Sequence, residues 1–220
     1  FSPLRVLRLG LLPETPPTLV NFVGGSNAEA MAALTEWLAG LHDATAFCLY
    51  GESGCGRSHL LQASGFHYID AALLPSLQGV TADMPLAIDN VESLDETGQV
   101  ALFALFNQLK STDSRLLTAA SQPPAHLGLR EDLRTRLGSG LIYRLQPLTD
   151  AEKAEAIAAQ ARERALKLSP DVINYLLRHA ARDMRTLSML VVALDQYTLE
   201  QKRPVTLPLV RELLNMDTPV

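Results

Sequence analysis

Apolar side chains between Asn27 and Leu41 fall at Ala30, Met31, Leu34, Trp37, Leu38 and Leu41, a spacing that puts one helical face against a core. Downstream the pattern changes to short apolar runs. Ala46–Tyr50, His67–Ile69, Pro85–Ile88, Arg115–Ala119 and Leu141–Leu145 each read as a buried strand. Between the third and fourth runs, Thr97–Lys110 carries Val100, Leu102, Phe103, Leu105, Phe106 and Leu109 on a broad apolar face, with Phe103 and Phe106 read as core. Strands separated by helical patterns predict a parallel sheet covered on both sides.

After Pro147 no strand-like run of comparable strength occurs. Thr149 caps a helix predicted to reach about Leu166. Ser169-Pro170-Asp171 is a strong start signal, with serine as cap and proline at the first helical position. Asp183 caps a third helix to about Leu199, and Thr206-Leu207-Pro208 opens a short fourth. Before Thr18, the prolines Pro3, Pro13, Pro16 and Pro17 predict extended chain. The expected order is an extended segment over 1–18, an α/β domain over 19–147 and a small all-α domain over 148–220.

Composition narrows the function classes. The 220 residues hold 19 Lys+Arg against 24 Asp+Glu, a net charge of −5. That balance disfavours a broadly basic surface wrapped by nucleic acid, while leaving a local basic patch open. No apolar run approaches the ~20 residues that span a bilayer, so no membrane role is expected. Cys48 and Cys55 are the only cysteines and make no disulfide or zinc framework, which favours a reducing, cytoplasmic location. His42, His67, His126 and His179 lack metal spacing.

The sharpest chemical signal is Gly51-Glu52-Ser53-Gly54-Cys55-Gly56-Arg57-Ser58. It fits the phosphate-loop pattern G-x-x-x-x-G-K-[ST], with arginine in place of lysine. Glycines let backbone amides turn inward around a phosphate, and the following helix adds the positive end of its dipole. Gly51, Gly54, Cys55, Gly56, Arg57, Ser58 and His59 are therefore assigned to nucleotide, with Ser58 also offering its hydroxyl to Mg²⁺. His59, on the first helical turn beside the loop, reads as packing or capping rather than catalysis. Arginine is bulkier than lysine and keeps its proton, which suits tight binding better than turnover.

Leu86-Ala87-Ile88-Asp89-Asn90-Val91-Glu92 fits a Walker B strand whose terminal acid, Asp89, holds magnesium-bound water. The next position, where many such ATPases carry a water-polarising glutamate, is Asn90, which cannot act as a base. Intrinsic hydrolysis is accordingly expected to be slow. Arg136 is expected at an exposed edge beside the glycine-rich turn Gly138-Ser139-Gly140, able to reach a neighbour's nucleotide. Its bland alternative is a surface salt bridge to Glu131 or Asp132. Arg185, opening the third helix of the all-α domain, is placed to close over a phosphate.

Together these segments resemble the DnaA-related AAA+ family, and within it the Hda-like regulatory inactivators. The resemblance runs from about Thr18 to Leu214. It rests on Asn21-Phe22-Val23-Gly24 followed by Asn27, on Gly56-Arg57-Ser58-His59-Leu60-Leu61, on Ile88-Asp89-Asn90-Val91-Glu92, and on Leu116 to Pro124. It continues through Arg136-Leu137, Tyr143-Arg144-Leu145-Gln146-Pro147-Leu148 and Asp183-Met184-Arg185-Thr186-Leu187. It implies an AAA+ P-loop nucleotide-binding domain followed by a helical lid. Phe22 and Val23 would line the adenine pocket, Arg136 would be an arginine finger acting in trans, Arg185 a sensor-2 arginine and Ser121 the sensor-1 residue.

The family further implies bound ADP or ATP with Mg²⁺, at most weak ATPase activity, and partnership with DnaA and the sliding clamp (the beta subunit of DNA polymerase III). It implies contact with DNA through the clamp, stimulation of ATP hydrolysis by DnaA, and so negative regulation of replication initiation. Homo-oligomerisation stays open. The alternative is a self-sufficient AAA+ ATPase of the initiator or helicase-loader type; a third option is a binding adaptor with a purely structural nucleotide. Two departures stand out. Only Leu9–Pro13 suggests the family's N-terminal clamp-binding peptide. The stretch Ser58–Tyr68 is also short, leaving either a truncated first helix or a gap in the chain near Ala63–Gly65.

Overall fold

The computed structural model describes residues 16–179 and 183–215, which fall into two compact units divided along the chain between Pro147 and Leu148. The suggestive stretch Leu9–Pro13 lies outside the described residues.

The first unit is a five-stranded, all-parallel sheet between helices. Its elements run α1 (Ala28–Leu38), β1 (Ala46–Tyr50), α2 (Arg57–Ala63), β2 (His67–Asp70), β3 (Leu86–Asp89), α3 (Glu96–Ser111), β4 (Leu116–Ala120), α4 (Glu131–Gly138) and β5 (Leu141–Arg144). The strand order is β2-β3-β4-β1-β5. Alternation along each strand feeds two cores. Leu86, Ile88 and Leu116 pack with Leu102, Phe106 and Leu133 on one face, while Ala87, Leu117, Phe47 and Leu49 pack with Leu34, Trp37, Leu60 and Leu61 on the other. Because all strands are parallel, the C-terminal ends of β1, β3 and β4 lie along one edge, where α/β sheets bind ligands.

Element ends differ from the sequence expectation for local reasons. Helix α1 stops at Leu38 because Gly40 takes a left-handed φ of +88°, so Leu41 is 72% exposed instead of joining the apolar face. Strand β3 starts one residue after the apolar run Pro85–Ile88 and ends on the acid Asp89, as the Walker B pattern expects. Arg136 lies in the helix α4, which the glycine-rich turn follows. Helix α2 is only seven residues long, and Ser64-Gly65 turns it directly into β2. A buried Asn27 side chain closes the unit: its amide donates to the Gln146 carbonyl at 2.9 Å and its carbonyl accepts the Gln146 N–H at 2.7 Å.

Among the described residues the second unit is four helices, α5 (Asp150–Glu163), α6 (Pro170–His179), α7 (Met184–Gln201) and α8 (Leu207–Asn215). Thr149 caps α5 in a capping box with Glu152, and Asp183 caps α7 by accepting the Thr186 N–H at 2.8 Å. Ile157, Val172, Leu176, Leu187, Val191 and Val210 form its core. No helix among the described residues is long and apolar enough to cross a membrane.

Candidate nucleotide site

The loop between β1 and α2 has a phosphate cradle's backbone. Gly54 and Gly56 take φ values of +81° and +99°, which only glycine adopts without strain. A Cβ on Gly51 would lie 2.4 Å from the Leu145 carbonyl, so the first glycine is fixed by close approach of the chain after β5. Cys55 is buried, and that burial pushes its thiol up from the ordinary cysteine value. Arg57 follows as the first residue of α2. Its Nη1 is buried with no hydrogen-bond partner. A cationic nitrogen hidden from water without an acceptor is costly, and an anion in the loop would satisfy it. That orphaned donor fits a phosphate. Ser58 is exposed on the same first turn.

Phe22 stands over the loop. A Cβ on Gly56 would meet Phe22 Cε2 at 2.5 Å, and the Phe22 ring lies 5.4 Å from the His59 ring at a tilt of 58°. His59 Nε2 is in turn hydrogen-bonded to the Thr18 carbonyl at 2.9 Å. Thr18 and Asn21 lock their own turn through two reciprocal bonds. His59 therefore ties the segment bearing Phe22 and Val23 to the loop helix. Val23 is partly buried.

At the end of β3, Asp89 is 1% exposed and both its oxygens are occupied. Oδ1 accepts the Asn90 N–H at 2.9 Å and Oδ2 accepts the Tyr68 hydroxyl at 3.0 Å. Asn90 adopts a left-handed φ of +52° and donates its side-chain amide to Asp70 Oδ1 at 2.9 Å. Tyr68 and Asp70 both come from β2, the neighbouring edge strand. Sequence reasoning missed them: a lone Tyr and Asp in a four-residue strand carry no local signal, and only the pairing of β2 with β3 aims them at Asp89-Asn90. Burial pushes the Tyr68 phenol up to about 12, so it remains a donor at neutral pH.

The ends of β3 and β4 are bridged as well. Glu92 Oε1 accepts the Ser121 N–H at 2.9 Å, which fixes the backbone at the position expected to be sensor 1. Among the described residues no group of three or more His, Cys, Asp or Glu is arranged to hold a metal.

Arg136 is not at a bare loop edge. Its guanidinium lies 5.7 Å from the Phe103 ring centre and 6.0 Å from that of Phe106, in cation–π range of both. Its bland alternative is not formed either, since Asp132 pairs with Arg130 at 2.7 Å instead. Arg136, Phe103, Arg130, Asp132 and Thr135 line an open depression of about 750 Å³. In the helical unit, Arg185 is exposed in the first turn of α7.

Residues 150–214 match the family model described as the lid domain of Hda. Among solved structures, domain III of the Thermotoga maritima replication initiation protein DnaA is similar at a TM-score of 0.70 and 23% identity, over 93% of this chain and 98% of that one. AMPPCP-bound DnaA from Aquifex aeolicus is similar at 0.64 and 25%, over 84% of this chain and 68% of that one. Thermotoga maritima RuvB follows at 0.66 and 17%, over 91% and 72%. The fold is that of an AAA+ P-loop module with a helical lid. Residues 150–214 thus carry the sequence of an Hda-type lid, and the chain as a whole shares its fold with DnaA domain III.

Proposed function

We propose that this protein is a nucleotide-holding regulator which, with the DNA-loaded sliding clamp, stimulates ATP hydrolysis by DnaA and so restrains replication initiation. The match of 150–214 to the lid of Hda carries the reading. It is supported by Asn90 at the position where a self-sufficient ATPase needs a carboxylate.

In this reading the amides of the Gly51–Ser58 loop, Arg57 and the dipole of α2 hold the phosphates of ADP or ATP. Phe22 and Val23 line the adenine side. Ser58 and Asp89 would hold Mg²⁺, which supplies charge neutralisation on the phosphates when bound. Asn90 cannot take a proton from water, so the protein turns over its own nucleotide slowly at most. Arg185 reads the phosphates from the lid. Arg136, steadied by Phe103 and Phe106, acts in trans, neutralising charge on the phosphoryl group of a partner's ATP. DNA is met through the clamp, in keeping with the net charge of −5.

The deciding experiment is turnover of DnaA-bound ATP with clamp, DNA and this protein. Stimulation that requires all three supports the proposal. No stimulation, together with several-per-second hydrolysis by the isolated protein, replaces it with the self-sufficient ATPase.

A further inference from the structure

The phenol of Tyr68 lies where the loop helix and the Walker B strand converge. Its hydroxyl donates to Asp89 Oδ2 at 3.0 Å. The other carboxylate oxygen is held by the Asn90 N–H, and Asp89 is almost wholly buried. Two donors on two oxygens leave this carboxylate a single orientation. Each oxygen keeps one lone pair free.

From this we infer that Tyr68 is a positioning residue for the Mg²⁺ site: from the edge strand it fixes the rotamer of Asp89. The inference rests on the nucleotide reading above. Hydrogen bonds behind a ligating or water-holding carboxylate orient it, and their loss typically lowers metal affinity about 10–100-fold. Without the hydroxyl, Asp89 Oδ2 is buried with no donor, and the carboxylate turns to find one. The phosphate loop itself is untouched, since Tyr68 contributes nothing to its backbone.

The test is calorimetric titration of ADP into the full chain, with Mg²⁺ and with EDTA, for the parent and Tyr68→Phe. Phenylalanine keeps the ring and removes only the donor. The expected result is unchanged ADP affinity in EDTA, with the gain that Mg²⁺ brings cut about tenfold or more. An equal Mg²⁺ gain in both proteins overturns the positioning role. So does a loss of ADP binding by the variant in EDTA, which makes Tyr68 a structural support of the loop. Failure of the parent to bind ADP under either condition is a different result, and it removes the nucleotide reading.

Discussion

Gly56 and Phe22 share one space: a Cβ on the glycine would stand 2.5 Å from Cε2 of the ring. The glycine at φ +99° thus turns the loop's backbone and also makes room for the aromatic that arrives from before α1. Gly56→Ala should strain the backbone and displace Phe22 together, costing on the order of 1–3 kcal/mol of stability. ADP affinity should fall with it. Calorimetry alongside thermal unfolding checks both, and a variant that binds ADP normally would show the glycine to be dispensable.

Arg57→Ala removes a guanidinium whose buried Nη1 has no hydrogen-bond partner. The free protein should be little affected, because no existing hydrogen bond is lost at that nitrogen. ADP binding should weaken by about 1.5–3 kcal/mol, the worth of a charge-assisted contact. Equal affinity in parent and variant would exclude phosphate as that nitrogen's partner.

Asn90 is not an open slot for a catalytic carboxylate. Its left-handed backbone suits asparagine, and its amide already serves Asp70. Asn90→Glu should therefore set a negative charge against Asp70 and Asp89 and destabilise the fold by about 1–3 kcal/mol. It should not simply restore turnover. Pairing it with Asp70→Asn should recover part of the lost stability in denaturant titrations; strict additivity of the two changes would rule out the proposed coupling.

For Arg136→Ala the loss of cation–π contact with Phe103 and Phe106 should cost about 0.5–1 kcal/mol and leave ADP binding unchanged. Stimulation of DnaA should disappear. A variant that stimulates as well as the parent would remove the trans role.

Alkaline pH should destabilise the protein. Burial holds the Cys48 thiol up from 9.0 to about 11 and the Tyr68 phenol up from 10.0 to about 12. Above pH 9 the unfolded chain releases these protons while the folded chain keeps them, so the unfolded state binds fewer and stability falls as pH rises. The contribution is intact below pH 9 and is lost through about pH 12. Melting temperatures measured across that range should decline, and Cys48→Ala should soften the slope between 9 and 11.

Much of the molecule was legible in its sequence because local rules suffice for it. Apolar runs fix the buried strands, Thr149 and Asp183 fix helix starts, and glycine spacing fixes the loop at Gly51–Ser58. What depended on β2 was not legible. Parallel pairing with β3 brings Tyr68 and Asp70 to Asp89 and Asn90 across about twenty residues of chain. Arg136 was expected at an exposed edge, and its resting place over Phe103 and Phe106 required α3 and α4 to pack. Periodicity, caps and glycines act within a few residues and so can be read along the chain. Which side chain reaches which carboxylate is decided by strand order and helix packing, interactions between segments that sequence proximity does not encode.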